Sequence, residues 1–188
     1  MKAWNALKTA IFIVSILILP LFTASCNINF SVSNPDIGKL TASAQKLLEA
    51  GDYKAAAARL ESINDLNPNL PENHYNLGIA YYRMGEKEKA IESMKKALEL
   101  KSDLPDAYYT LAVTYEDTAI EKEAALEEEK DAQKKADITN EIIECYQKAQ
   151  DNYASYVKSV KDPQEREKVL KRMNTLSEEE EKIQKELQ

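Results

Sequence analysis

Pro71-Glu-Asn-His-Tyr-Asn-Leu77-Gly78-Ile-Ala-Tyr81-Tyr-Arg-Met-Gly85, continuing as Glu-Lys-Glu-Lys-Ala90-Ile-Glu-Ser-Met94-Lys-Lys-Ala97, decides the fold. Leu77 and Tyr81, then Ala90, Met94 and Ala97, recur every three or four residues, the spacing of an apolar stripe on a helix. Gly85 interrupts the two stripes, where a helix can end on a left-handed residue. The stretch therefore reads as two short amphipathic helices joined by a tight turn.

Outward from that stretch, the pattern repeats. Residues 37–70 laid over 71–104 put Gly51 on Gly85, Ala56 on Ala90, Leu66 on Leu100 and Leu70 on Leu104, and Pro71 falls on Pro105. Every offset is 34 residues, a period typical of a helical-hairpin repeat array. The Leu77-Gly78-x-x-Tyr81 core and the Ala90-x-x-x-Met94-x-x-Ala97 second helix resemble the tetratricopeptide repeat (TPR) motif. His74 stands where that motif has Trp, Pro68 matches its terminal proline, and Ser102 replaces the proline in the second unit. The resemblance implies an all-α TPR solenoid. Gly78 and its counterparts Ala44 and Ala112 are small, which lets the two helices of a unit approach closely.

A third unit opens with Pro105-Asp-Ala-Tyr108-Tyr109-Thr-Leu111-Ala112-Val-Thr-Tyr115. Its second helix appears as Ile142-Ile143-Glu-Cys145-Tyr146-Gln-Lys-Ala149, later than in the second unit by 18 residues. The intervening segment is rich in Glu, Lys and Ala and has no Gly or Pro, so it favours helix. The reading is a hairpin with both helices lengthened by about nine residues, ~13 Å each at the α-helical rise. Asp137-Ile-Thr-Asn140 is an alternative place for its turn, and the insert is either a solvated charged hairpin or a docking arm. Asp162-Pro163 stops the second long helix near Val160 and opens a last one. There Val169, Met173, Leu176, Ile183 and Leu187 make a stripe for capping the array or for a coiled-coil seam. The expected division is 1–25 signal, 26–36 tether, 37–160 TPR domain (37–70, 71–104, and 105–160 with insert 119–136), and 163–188 C-terminal helix.

The first 25 residues have another character. Lys2 and Lys8 precede the apolar run Ala10-Ile-Phe-Ile-Val-Ser-Ile-Leu-Ile-Leu-Pro-Leu-Phe22, and the small residues Ala24 and Ser25 follow. That is the layout of an export signal, shorter than the roughly 20 residues that span a bilayer. Thr23-Ala24-Ser25-Cys26 resembles the lipobox of bacterial lipoproteins, except that Thr23 replaces the usual aliphatic residue. The resemblance implies cleavage before Cys26 and acylation of its thiol. Cleavage by ordinary signal peptidase after Ser25, or retention of an uncut anchor, are the other outcomes. Asn27 rather than Asp after the cysteine is compatible with an outer membrane if the source is Gram-negative. The expected location is the bacterial cell envelope, as a membrane-anchored lipoprotein facing the periplasm or exterior.

Composition excludes several functions. The chain carries 25 basic and 32 acidic residues, a net charge of −7, which argues against nucleic acid as a partner. Cys26 and Cys145 are the only cysteines and His74 the only histidine, too few for a zinc site. No nucleophile elbow, P-loop, dinucleotide fingerprint or metalloprotease motif occurs, so no catalytic residue and no cofactor is expected. Cys145 reads as a buried thiol; a disulfide to Cys26 is conceivable only without lipidation.

What remains is a surface. In TPR proteins the first helix of each unit lines a concave groove, which the resemblance places at Thr41, Gln45, Leu48 and Glu49 in the first unit. It adds Glu72, Tyr75, Ile79, Tyr82 and Arg83 in the second, and Asp106, Tyr109, Val113, Glu116 and Asp117 in the third. Tyrosines beside aliphatic and charged residues suit recognition of a peptide. The expected function is a membrane-tethered scaffold that binds a protein or peptide partner and serves assembly of an envelope complex. A periplasmic ligand-binding protein serving a transporter, and a structural protein that self-assembles with further copies, are the alternatives.

Overall fold

Two glycines set the rhythm of the chain. Gly51 (φ 75°) and Gly85 (φ 78°) adopt the left-handed conformation that costs other residues energy. Each closes a helix with the same pair of bonds. Gly51 N–H donates to Leu48 O at 3.1 Å and Asp52 N–H to Leu47 O at 2.9 Å. Gly85 N–H donates to Tyr82 O at 3.0 Å and Glu86 N–H to Tyr81 O at 2.9 Å. The paired bonds satisfy carbonyls that the helix end would orphan.

The structure, a computed structural model, describes residues 36–186, and in them the elements are helices. They are α1 (Ile37–Glu49), α2 (Tyr53–Leu66), α3 (Pro71–Arg83), α4 (Lys87–Leu100), α5 (Pro105–Glu128), α6 (Ala132–Val157) and α7 (Pro163–Glu186). The expected signal, Cys26 and the tether up to Pro35 lie outside the described residues.

The helices pack as three hairpins, α1/α2, α3/α4 and α5/α6, each stacked on the next, with α7 against α6. Start signals are local. The Asp36 carboxylate accepts from the Gly38 and Lys39 amides, and Asp52 from Ala55. Pro71 and Pro105 open α3 and α5, where the lacking N–H would have had no helical partner. The apolar stripes meet in two clusters. One joins Leu60, Ile63, Leu77, Tyr81 and Ala90 across the first two hairpins. The other runs from Met94 through Leu111, Tyr115, Ile142 and Tyr146 to Val169, Leu176 and Ile183.

The third hairpin is elongated. Helices α1 to α4 have 13 or 14 residues, whereas α5 has 24 and α6 has 26. At 1.5 Å per residue, α5 is ~36 Å long against ~20 Å for α3. The turn lies at 129–131, not at Asp137–Asn140. There Glu129 Oε1 accepts from the Lys130 and Asp131 amides at 2.7 and 2.9 Å, and Asp131 caps α6 through the Lys134 amide at 2.9 Å. Residues 137–140 stay helical because Ile138 and Thr139 face the hairpin core; Thr139 is buried.

α6 ends at Val157, short of Val160, and α7 turns back along it. Val169, Leu176 and Ile183 are buried and Met173 half-buried, so the α7 stripe is covered by the chain itself. Leu187 lies outside the described residues.

Candidate partner-binding groove

The groove residues named from the sequence sit on α1, α3 and α5, the first helix of each hairpin. Their environments differ. On α1, Gln45 and Glu49 are exposed and bonded to each other, Nε2 to Oε1 at 3.0 Å, and Leu48 packs half-buried on the first cluster. On α3, Tyr75 and Ile79 rest half-buried on the second cluster, and Arg83 is exposed. Burial, and then the Asp106 charge, hold the Tyr75 hydroxyl above its ordinary pKa.

Tyr82 is tied to the next hairpin. Its hydroxyl donates to Asp117 Oδ2 at 2.8 Å. Burial first, and then that carboxylate, push its pKa up to about 12. Lys87 braces the same junction, donating to Asp117 O at 2.8 Å and pairing with Glu121 at 2.9 Å.

On α5, Tyr109 stands in an aromatic cluster with two residues of α6. Its ring lies 5.8 Å from Tyr153, edge-on, and 5.0 Å from Tyr156, tilted. Such geometry suits the ring quadrupoles. Glu116 is already engaged within the protein: it is buried, pairs with the Arg172 guanidinium of α7 and accepts from the Tyr153 hydroxyl at 3.0 Å. A buried carboxylate needs such partners, because desolvation otherwise disfavours its charge.

The structure brings Tyr109, Val113 and Glu116 together on one cleft of about 440 Å³, completed by Tyr153 and by Lys168, Val169, Lys171, Arg172 and Thr175 of α7. The α6 and α7 residues were missed from the sequence. Lys168 and Arg172 flank the apolar stripe of α7 at helical spacing, but the sequence offered α7 only as a capping helix or a coiled-coil seam and did not seat it beside Glu116 of α5.

A larger cleft, about 730 Å³, opens beside α3 and α4 and is bordered by alternating Lys and Glu of α4. His74 lies there as a packing residue, 9% exposed. Its Nε2 is 2.8 Å from Pro68 O, and Asn64 Nδ2 is 3.4 Å from its Nδ1. A carbonyl only accepts, so the proton sits on Nε2 and Nδ1 accepts from Asn64. Asn73 Nδ2 completes the network on Leu60 O at 2.9 Å. The ring joins the first hairpin to the second.

Cys145 is buried between α5 and α6, and burial raises its thiol pKa. Among the described residues, no group of His, Cys, Asp or Glu could hold a metal ion.

This stack of helical hairpins is a tetratricopeptide-type solenoid fold. Residues 47–112 match the sequence model of the tetratricopeptide repeat. Solved structures of similar fold include the first TPR of Spaghetti bound to an HSP90 peptide, at TM-score 0.55 and 14% identity, covering 76% of this chain and 90% of that one. The type III secretion translocator chaperone SycD of Yersinia enterocolitica matches at TM-score 0.54 and 14% identity, over 77% of this chain and 86% of that one. In complex with a peptide of the translocator YopD, the same chaperone matches at TM-score 0.50 and 15% identity, over 81% and 95%. No curated protein matches the chain in sequence. At these identities the likeness is one of fold.

Proposed function

We propose that this protein is a non-enzymatic scaffold, tethered to an envelope membrane through an acylated Cys26, that holds a protein or peptide partner in its groove. The observation that carries the binding reading is the run of half-buried Tyr75, Ile79, Tyr82, Tyr109 and Val113 along α3 and α5. These side chains are anchored on one side by the core and open on the other, the condition of a hot-spot surface. Similar folds are solved with bound peptides, which makes an extended or helical peptide the natural occupant.

Two experiments test it. Membranes holding the full chain are crosslinked through a photoreactive amino acid at Ile79, beside a Tyr75/Tyr82/Tyr109→Ala variant that keeps its helical circular dichroism. One partner captured by the parent and lost from the variant supports the groove. Identical capture by both sinks it, and capture of the protein itself moves the reading to self-assembly. For the tether, metabolic labelling with an alkynyl fatty acid should mark the parent and not Cys26→Ser. Equal labelling, or none in either, ends the lipoprotein reading.

A further inference from the structure

We infer that the cleft between α5, α6 and α7 sets the specificity of the groove, by taking an apolar side chain of the partner peptide flanked by carboxylates. The inference rests on the groove reading above and deepens it. Three observations carry it. The floor is apolar and aromatic: Tyr109 and Val113 from α5, Tyr153 from α6 and the flank of Val169 from α7. At about 440 Å³ the space admits one or two side chains rather than a folded surface.

The rim is cationic. Lys168, Lys171 and Arg172 line the cleft against one carboxylate, Glu116, whose charge Arg172 already answers. Lys168 and Lys171 are exposed and form no ion pair within 4 Å among the described residues. Glu165 and Glu167 share their turns of α7 but do not line the cleft, and the acidic run Glu178–Glu181 lies further along the helix.

The surplus is local and runs against the whole, since the chain is −7 overall. Acidic peptide is repelled by most of this protein and attracted here, which favours binding at this place. The two lysines sit beside the apolar floor, so a carboxylate next to an apolar anchor answers both features at once. A peptide carrying only apolar residues would leave the lysines unanswered, and a basic one would meet them as like charge.

The test is selection of short random displayed peptides on the full-length chain in detergent, in parallel with Lys168→Glu/Lys171→Glu and with Ile79→Ser. Arg83→Glu serves should Ile79→Ser unfold. The expected result is recovery, on the parent, of peptides with Asp or Glu beside an apolar residue. A synthetic version should bind the Lys168→Glu/Lys171→Glu protein about tenfold more weakly, the scale of two partly exposed ion pairs. Converting the peptide's carboxylates to amides should cost the parent a similar factor and the doubly substituted protein little. Peptides without acidic enrichment, or equal affinity for parent and Lys168→Glu/Lys171→Glu, overturn the inference. If such peptides still need Ile79 or Arg83, the groove reading survives that loss. No recovered peptide, or binding indifferent to every substitution, overturns both.

Discussion

The guanidinium of Arg172 on α7 pairs with the buried carboxylate of Glu116 on α5, bridging 56 residues of sequence. The Glu116 side chain is 9% exposed and that of Arg172 44%. Glu116 therefore depends on Arg172 more than the reverse. Tyr153 donates to the other carboxylate oxygen, so the pair also ties in α6.

Arg172→Ala should strand that buried charge. Breaking a buried pair costs up to several kcal/mol, and the half-exposed partner lowers the expected loss to about 2 kcal/mol. For a domain of this size that is roughly 4–8 °C in Tm, read by circular dichroism. Limited proteolysis should show α7 cut first. Glu116→Gln/Arg172→Met, which removes both charges and keeps an acceptor for Tyr153, should recover most of the loss. A double variant as unstable as Arg172→Ala would show that the charge pairing is not what matters.

Gly78 should resist even alanine. A Cβ there would stand 2.8 Å from Met94 Cε, 2.9 Å from Cγ and 3.0 Å from Sδ, and Met94 is fully buried. The corresponding positions in the other hairpins, Ala44 and Ala112, carry a Cβ, and the residues matching Met94 there are Leu60 and Tyr146. Gly78→Ala should cost about 1–3 kcal/mol by overpacking, partly offset by alanine's better helix propensity. Adding Met94→Leu should recover part of it, and urea midpoints of the four proteins decide. Strict additivity of the two substitutions would refute the contact.

Alkali should weaken the fold before it breaks the chain. The Tyr82 pKa rises from 10.0 to about 12 through burial and then the Asp117 bond, and Tyr81, Tyr146 and Tyr153 are raised too, burial leading in each. Raised pKa values mean the folded state keeps protons that the unfolded chain releases. This stabilisation is whole below pH 10 and is lost as pH climbs through the folded values. The urea midpoint should fall between pH 10 and about 12. Tyr82→Phe should flatten part of the fall. A midpoint unchanged across that window would contradict the buried hydroxyl pairs.

Cys145 should be slow to react. It is 9% exposed and its thiol pKa is raised by burial, so little thiolate meets a reagent. Under native conditions a disulfide reagent should label it at least tenfold more slowly than in urea. The count in urea also reports on Cys26: one reactive thiol if that residue is acylated, two if both are free. Fast native labelling of Cys145 would mean that α5 and α6 open readily.

The fold was legible because its signals are local and recur. Gly51 and Gly85, the prolines 71 and 105, and the apolar spacing 77, 81, 90, 94 and 97 each act within a turn or two of helix. Their repetition at one offset fixes helix pairs of constant length. The charged insert gave the elongation, because a helix-favouring segment without Gly or Pro has no place to stop. It did not give the turn: Glu129 and Asp131 end and cap the helices there, while Ile138 and Thr139 are kept helical by the core they face.

The candidate groove was legible only as a set of positions. Placing Tyr75, Ile79, Tyr82 and Tyr109 on first helices follows from the repeat. That Tyr82 reaches Asp117 and Tyr109 packs on Tyr153 and Tyr156 follows from stacking. Glu116 shows the limit most clearly, for a surface carboxylate and a buried one look alike in sequence, and Arg172 is far along the chain.

By itself, then, the sequence determined the helices, their pairing, the longer third hairpin and the apolar stripe of α7, since each depends on neighbours a few residues away. Only the tertiary structure decided where α7 lies, that its Arg172 pairs with buried Glu116, and that it brings Lys168 and Lys171 to the cleft beside Tyr109 and Val113. Those are encounters between different helices, from about 30 residues apart for Gln150 and Glu180 to 56 for Glu116 and Arg172, and they exist only once burial of Val169, Leu176 and Ile183 has fixed how one helix sits upon another.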